Sequence, residues 1–407
     1  MNTPANPSSS IAITGLGVVS ALGVGAEAFA ESLFAGRTRF APLARPGRTI
    51  SQPIHGAELP ADAVPQTTGL QQVDRLASRC GSLTAQAALQ TCGEAWLDAK
   101  LDQGRVPSDR IGFVVGGMQG QPREDEILRD RYRDKLAVMR PNFAASCWDT
   151  HLLGLLSEAF GVTGECLTVG GASAAGAVAV IQAARQILVG AVDVCVAVGA
   201  LCDLSKYELQ AFWNLGALGD ASAGRPFDVS SGGFLPGEGC AAIVLEREDA
   251  SLENIRARWL GGCIASEGKH GPTPNSQTQQ RAIRGALQQA GLTSDEVDYV
   301  NAHGTGAPMG DAAEAETIRQ VGLQNAWINA TKSLAGHCLT AAGAVEIAAV
   351  VLQLQAGRLH PTAGLETPVD PSLRWVRGRT VETELRVAVS NSFAFGGINA
   401  SMALAGV

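Results

Sequence analysis

An alanine-rich segment occurs twice in this chain of 407 residues. Residues 173–190 read SAAGAVAVIQAARQILVG and residues 340–357 read TAAGAVEIAAVVLQLQAG, and the pentapeptide AAGAV is identical in both. Each copy predicts a helix with glycine in its first turns and glycine at its end, later followed by a valine-rich strand. Repetition of the whole unit indicates that the fold contains two similar α/β halves.

Short apolar segments lie between longer helical patterns. The clearest are IAITGLGVV near the start, VDVCVAVGA at 192–200 and LRVAVSNSFAF at 385–395. The segment SLTAQAALQTCGEAWLDAK instead has apolar residues at steps of three and four, which is typical of a helix. Strands that alternate with helices predict largely parallel sheets covered by helices on both faces, so we expect an α/β fold.

The composition excludes several classes of protein. Hydrophobic residues make up 46% of the chain and charged residues 17%, which is enough apolar surface for an ordered core. A net charge of −8 argues against a nucleic-acid or anionic-membrane partner, because both need a basic surface. The nine cysteines contain no C-x-x-C pair, and most have apolar neighbours, so we expect reduced thiols in a cytoplasmic protein.

The ends and the apolar runs give no targeting signal. Residues 1–10, MNTPANPSSS, lack the features of a signal peptide, and we expect them to be flexible. The apolar run in the second repeat is interrupted by Glu346 and Gln353 and falls short of a membrane span. We therefore expect a soluble intracellular protein.

One stretch, 119–142, is densely charged: QGQPREDEILRDRYRDKLAVMRPN. Such a pattern fits a solvated helix with ion pairs between successive turns. It fits equally well an excursion from the fold that contacts a second subunit. The sequence leaves both interpretations open.

Two histidines stand in glycine-rich surroundings, which is unusual for core packing. His303 lies in YVNAHGTGAPMGD, and His337 lies in NATKSLAGHCLTAAGAVE close to Lys332. Two such loops, one of them with a nearby lysine, favour a functional site. No H-E-x-x-H motif or cluster of carboxylates accompanies them, so we expect neither a metal nor another cofactor.

Two glycine patterns offer other functions. GLGVVS at 15–20 has Ser20 where a dinucleotide-binding fingerprint needs its third glycine, so we do not expect a bound dinucleotide. GASAA at 171–175 is one residue short of the G-x-S-x-G turn of α/β hydrolases. Ser173 with His303 or His337 as its base is therefore an alternative active site.

Five ordered segments resemble the signature segments of the β-ketoacyl-acyl-carrier-protein synthases, from about residue 11 to the C-terminus. They are ITGLGVVSALG, RPFDVSSGGFLPGEGCAAIVLE, NAHGTGAPMGD, TKSLAGHCLTAAGAVE and SNSFAFGGINA. The resemblance implies a thiolase-like fold: two duplicated α/β halves in a five-layer αβαβα arrangement, usually dimeric. It implies an N-terminal half at 11–250, which includes the 119–142 excursion, and a C-terminal half at 251–407.

The family's chemistry assigns roles to several residues. In the family, a cysteine at a helix N-terminus takes an acyl group, and two histidines hold the malonyl thioester oxygen while CO2 leaves. The resemblance assigns the histidine roles to His303 and His337, and a supporting role to Lys332 with Glu346. Phe395 matches a gating phenylalanine whose backbone N–H helps to form the oxyanion hole. Matches to substrate-binding positions complete the set: Thr305, Asp311, Gly396 and Gly397.

The chain departs from the family at the nucleophile. Active members carry a stretch like T-A-C-A-S-G where this chain has V-G-G-A-S-A, and the register set by Ala172 and Ser173 puts Gly171 at the cysteine position. We expect Cys166 and Ser173 to lie several ångströms out of reach of that position. A second departure is Ala307, which replaces a hydroxyl expected to contact the pantetheine arm.

Three functions follow from these features. The first is a chain-length-factor subunit that pairs with a Cys-bearing ketosynthase and an acyl carrier protein in fatty-acid or polyketide elongation. It is expected to form a heterodimer, although a homodimer is possible. The second is a malonyl-carrier decarboxylase that uses His303 and His337. The third is a hydrolase or acyltransferase that uses Ser173.

Overall fold

The computed structural model describes residues 10–117, 121–219, 224–248 and 252–407. Apart from Ser10, the predicted flexible N-terminus lies outside the described residues. The proposed boundary between the halves, at 250 and 251, and the first two residues of the charged excursion also lie outside them.

The described residues form strands and helices that alternate along most of the chain. The strands are β1 (Ile11–Ser20), β2 (Gly23–Val24), β3 (Ala41–Pro42), β4 (His55–Gly56), β5 (Ile111–Gly116), β6 (Cys166–Val169), β7 (Val194–Gly199), β8 (Gly239–Arg247), β9 (Ala257–Ser266), β10 (Tyr299–Asn301), β11 (Trp327–Asn329), β12 (Arg358–Leu359), β13 (Arg374–Trp375), β14 (Val381–Glu382), β15 (Val387–Phe393) and β16 (Ile398–Ala405). The helices are α1 (Ala26–Phe34), α2 (Gln71–Arg79), α3 (Leu83–Asp98), α4 (Pro122–Tyr132), α5 (Phe143–Ser146), α6 (Thr150–Phe160), α7 (Ala175–Leu188), α8 (Lys206–Asn214), α9 (Ser276–Ala290), α10 (Pro308–Val321), α11 (Lys332–Ala335) and α12 (Ala342–Ala356).

The strand order is the same in both halves. The N-terminal half runs β1-β8-β7-β5-β6, and the C-terminal half runs β9-β16-β15-β10-β11. In each half the first three strands of that order pair antiparallel and the last three pair parallel. A short pairing of β1 with β9 joins the halves. This repeated topology confirms the predicted duplication.

The expectation of largely parallel sheets is wrong, because each half is mixed. An antiparallel strand that is covered by helices on both faces buries its residues as completely as a parallel one, so the two give the same apolar pattern. β8 illustrates this point, since eight of its nine residues are buried although it runs antiparallel to both β1 and β7.

Helices and sheets stack in five layers. α3 and α6 cover the outer face of the N-terminal sheet, and α9, with α10 packed on it, covers the outer face of the C-terminal sheet. α7 and α12 lie between the sheets and contact strands of both halves. The order helix–sheet–helix–sheet–helix is that of the thiolase-like fold that the resemblance implies.

The two central helices, α7 and α12, meet at the glycines of the repeated AAGAV sequence. A Cβ atom on Gly343 would lie 2.5 Å from the backbone nitrogen of Ala177, and one on Gly176 would lie 2.7 Å from that of Ala344. These distances are too short for any side chain, so both copies need glycine at this position. The stretch Leu339–Ala356 is long and apolar enough to cross a membrane, but 78% of it is buried in the interior, as in a core helix.

Equivalent sharp corners precede these two helices. Ala172 has φ of 46° and Leu339 has φ of 49°, values that non-glycine residues rarely adopt. Each corner is followed by a hydroxyl residue, Ser173 in the first half and Thr340 in the second. Strained backbone of this kind often aims a side chain at a functional site.

The charged excursion is anchored at one end only. α4 begins it, and Arg123 and Glu126 form ion pairs with Asp203 and Lys206. Beyond α4 the chain is mostly exposed, and it includes the apolar side chains of Leu136 and Val138, which are 69% and 65% exposed. Contact of this segment with a second subunit stays a prediction.

We expect Gly343→Ala to lower the free energy of unfolding by about 1–3 kcal/mol, because the added methyl group must push α7 and α12 apart. Urea denaturation monitored by circular dichroism measures this change. Gly154→Ala is the matched control, since that glycine lies in α6 with no atom within 4 Å of its Cβ position. The control should be neutral or should stabilise by up to about 1 kcal/mol. Equal effects of the two substitutions would contradict the packing argument.

Candidate active site

Three side chains from the two halves converge where α7 begins. Ser173 comes from the corner before α7, His303 follows β10, and His337 follows α11. Ser173 Oγ lies 2.9 Å from His337 Nε2, and the two imidazole rings are 5.7 Å apart between centroids. The two predicted histidines therefore form one site, and Ser173 belongs to it.

Lys332 fixes the position of His303 through two hydrogen bonds. Its Nζ lies 2.5 Å from the backbone oxygen of His303 and 3.2 Å from Nδ1 of the same residue, and it also contacts the Glu346 carboxylate. These three acceptors use all three protons of the ammonium group. Lys332 and Glu346 are both buried, with side chains 3% and 2% exposed.

The hydrogen bonds determine which nitrogen of each histidine carries its proton. Nδ1 of His337 accepts from the backbone N–H of Leu339 at 3.2 Å, and Nδ1 of His303 accepts from Lys332. A neutral imidazole whose Nδ1 accepts must carry its proton on Nε2. Both rings are therefore Nε2–H donors, and His337 donates to Ser173 Oγ.

Both histidines are held neutral. Burial lowers the pKa of His303 well below its ordinary value, and the positive charge of Lys332 lowers it further. The same two causes, in the same order, lower the pKa of His337. Burial also raises the pKa of Glu346 against the opposing charge of Lys332, and its Oε2 has no hydrogen-bond partner in the described part of the chain.

Glu314 is a buried residue of the site that the sequence reasoning missed. Its carboxylate accepts the backbone N–H groups of His303 and Gly304 at 2.8 and 2.9 Å, and Asn391 donates to it at 3.3 Å. The carboxylate thus fixes the loop on which His303 stands. Its position in α10, three residues after Asp311, is a signal that could have revealed it, because residues three apart share a helix face.

Asp311 and Thr305 hold the same loop through its backbone. The Asp311 carboxylate accepts the N–H groups of Phe227 at 2.6 Å and Thr305 at 3.1 Å, and burial raises its pKa to about 7. Thr305 Oγ1 accepts the N–H of Ala307 at 3.1 Å. Asp311 is only 2% exposed, which favours a loop-holding role over the predicted contact with substrate.

The structure corrects the expectation about Gly171 and Ser173. Gly171 has φ of 154°, and a Cβ atom on it would lie 3.1 Å from Cα of Ala175, at the start of its own helix. The positive φ of Ala172 instead turns the Ser173 side chain toward His337. The prediction that Ser173 lies out of reach is wrong, and Ser173 rather than Gly171 supplies the side chain that faces the histidines.

Cys166 does not reach this site. Its side chain packs against the apolar cluster on the outer side of the N-terminal sheet. Burial raises its pKa, which disfavours the reactive thiolate.

Phe395, the predicted gating phenylalanine, lies at the turn between β15 and β16. Phe395 is 42% exposed, and the ring that packs beside His303 is instead Phe393, at 6.1 Å between centroids. The N–H groups of Gly396 and Gly397 donate to the backbone oxygens of Gly271 and Ala394. These bonds occupy the donors that a substrate would need, so the roles of Phe395 and the two glycines stay predictions.

No group of three or more His, Cys, Asp or Glu residues is placed to hold a metal ion in the described part of the chain. The two histidines of the site are instead committed to Lys332, to Ser173 and to the backbone of Leu339. Because Nδ1 of each ring accepts a hydrogen bond, the Nε2–H groups are the donors that the two histidines offer.

Comparison with protein families gives two adjoining matches. Residues 8–251 match the family described as "Beta-ketoacyl synthase, N-terminal domain", and residues 257–366 match "Beta-ketoacyl synthase, C-terminal domain". Together these matches cover most of the chain and include all the residues of the site except those of the β15–β16 region.

Two relatives extend over almost the whole chain. The polyketide biosynthesis malonyl-ACP decarboxylase PksF of Bacillus subtilis is 40% identical, with 97% of this chain and 96% of the relative aligned. A putative polyketide beta-ketoacyl synthase 1 of Streptomyces halstedii is 33% identical, with 97% and 98% aligned.

Solved structures give similar matches. The ishigamide ketosynthase/chain length factor superimposes with a TM-score of 0.88 at 28% identity, covering 98% of this chain and 100% of that one. The ketosynthase ApeO in complex with its chain length factor ApeC, from Xenorhabdus doucetiae, gives a TM-score of 0.82 at 25% identity over 100% of both chains.

We expect both histidines to stay neutral, with the proton on Nε2, as the pH falls through about 6.5, where a free imidazole titrates. Nitrogen NMR of the protein labelled at histidine distinguishes the two tautomers and the imidazolium. Because both pKa values are lowered in the folded protein, the rings should take up protons only at more acidic pH. The free energy of unfolding should already fall as the pH drops below about 6.5, because there the histidines of the unfolded chain bind protons and those of the folded protein do not. Titration of either ring near its ordinary pKa would contradict the geometry.

Proposed function

Because the chain belongs to the β-ketoacyl synthase family, we propose that it decarboxylates a malonyl thioester carried by an acyl carrier protein, which yields the acetyl thioester and CO2. The observation that carries the proposal is the pair of buried, neutral Nε2–H donors, His303 and His337, beside a serine hydroxyl. In the condensing members of the family the nucleophile is a cysteine thiol, whereas in this chain the side chain that faces the histidines is Ser173.

The histidine pair suits the charge that decarboxylation creates. When CO2 leaves, the electron pair of the broken C–C bond moves into the thioester, and its oxygen becomes an enolate oxygen. Two fixed N–H donors in a buried site stabilise that oxygen without any rearrangement. The Lys332 ammonium adds positive charge to the site. Because it donates to Nδ1 of His303, it also keeps the ring proton of His303 on Nε2.

Ser173 is poorly suited to accept an acyl group. A serine becomes a nucleophile when an adjacent base removes its proton. The nearest ring nitrogen, Nε2 of His337, already carries a proton because Nδ1 accepts from Leu339. This tautomer argues against both condensation through an acyl-serine and the hydrolase alternative, and it leaves decarboxylation as the chemistry that needs no acyl acceptor.

The relatives support the same order of preference. The malonyl-ACP decarboxylase of Bacillus subtilis is aligned over nearly the full length at 40% identity. A chain-length-factor role is the second candidate, favoured by the likeness to the ishigamide and ApeO–ApeC structures, whose titles name such factors. A purely shaping subunit does not require the complete set of Lys332, Glu346 and the two histidine donors, so it ranks second.

We expect the purified chain to convert malonyl-carrier protein to acetyl-carrier protein, and His303→Ala to lower kcat about 10²–10³-fold, since one donor to the enolate oxygen is lost. Mass spectrometry of the carrier protein measures the conversion. His151→Ala is the control, because that half-buried histidine lies on α6, on the outer face of the N-terminal sheet. Absence of conversion by folded wild-type protein would refute the proposal.

A separate experiment distinguishes the chain-length-factor alternative from the decarboxylase. Our proposal predicts full decarboxylation by the isolated chain, without a second ketosynthase. Co-expression with a Cys-bearing ketosynthase, followed by gel filtration and an elongation assay, tests the alternative. An isolated chain that is inactive, together with a heterodimer that elongates, would favour the shaping subunit over the decarboxylase.

A further inference from the structure

We infer that Ser173 donates the proton that turns the enolate into the acetyl group. This inference rests on the proposed decarboxylase function and names a further catalytic residue for it. Decarboxylation leaves a carbanion-like carbon that must gain one proton, and neither histidine is suited to supply it. In the proposed complex both Nε2–H groups donate to the enolate oxygen, so neither is directed at the carbon that needs the proton.

The Ser173 hydroxyl is free to donate. Its oxygen accepts the Nε2–H of His337 at 2.9 Å, and no acceptor for its own proton is present in the parts of the chain that the structure describes. The Lys332 ammonium, the other acidic group nearby, has its three protons committed to Glu346 and to His303.

The position of Ser173 relative to the substrate follows from His337. In the free protein the Nε2–H of His337 donates to Ser173 Oγ, and in the proposed complex it donates to the thioester oxygen instead. Substrate binding therefore places the enolate oxygen within about one hydrogen bond of Ser173 Oγ. The carbon that loses CO2 is two bonds from that oxygen, which brings it within reach of the released hydroxyl.

The proposed step balances. The C–C bond to the carboxylate breaks, its electron pair forms the enolate, and CO2 leaves. A C–H bond then forms as the Ser173 O–H proton passes to the α-carbon, which is a stronger base than the serine alkoxide. The alkoxide, to which the Nε2–H of His337 returns once the enolate has become the product thioester, takes a proton from water and leaves a hydroxide ion. Water can reach this group, because Ser173 is only half-buried and Ala172 beside it is exposed.

We test this inference by determining which face of the enolate carbon receives the proton. Malonyl-carrier protein with a single deuterium of one configuration at the α-carbon is decarboxylated in tritiated water, and the configuration of the chiral acetyl methyl group is determined. The wild-type protein should give one configuration, since Ser173 approaches a fixed face. Ser173→Ala should give a mixture and lower kcat by about 10²-fold with KM unchanged, as expected when a general acid is lost.

Two further variants control the test. Ser173→Thr keeps the hydroxyl and should restore the single configuration. Thr340→Ser, at the equivalent corner of the other half, where the hydroxyl donates to the Ala200 oxygen at 2.8 Å, should behave as wild type. A single configuration retained in Ser173→Ala, whatever its rate, would overturn the inference. Inactive wild-type protein would instead refute the proposed function, so the two failures are distinguishable.

Discussion

The buried contact of the Lys332 ammonium with Glu346 and His303 is the interaction on which the rest of the site depends. It joins α11, α12 and the loop after β10, and it commits every proton of the ammonium group. Removing one partner of such a pair typically costs about 3–5 kcal/mol, because the other charge stays buried and uncompensated. The same contact sets the tautomer of His303, so one interaction serves both folding and chemistry.

The duplicated architecture explains how the site is assembled from two halves. Each half has a strained corner directly before its central helix, and the glycines of α7 and α12 let these helices touch. The first corner presents Ser173, and the strained residue of the second, Leu339, lies two residues after His337. Close contact of the helices therefore brings a hydroxyl of one half to within hydrogen-bond distance of an imidazole of the other.

Much of the fold could be predicted from the sequence, because the repeated helix and the alternation of apolar segments report burial directly. The direction of strands such as β8 and β16 could not, since burial on both faces hides it. His303, His337 and Lys332 were found from their motifs. Gly171 was assigned from a register counted along the motif, whereas the position of Ser173 depends on the φ angle of Ala172, which no residue pattern at an alanine reveals. Glu314 was missed because its two shortest hydrogen bonds are with the backbone N–H groups of His303 and Gly304, and a backbone contact leaves no motif in the sequence.

The proposed decarboxylation stabilises an enolate and forms no covalent acyl-enzyme, so the intact mass of the protein during turnover is the decisive measurement. The chain is mixed with excess malonyl-carrier protein, quenched in acid at successive times, and weighed together with the carrier by mass spectrometry. We expect acetyl-carrier protein to accumulate while the mass of the chain stays unchanged at every time. An acetyl or malonyl adduct that forms on Ser173 and decays as product appears would contradict it.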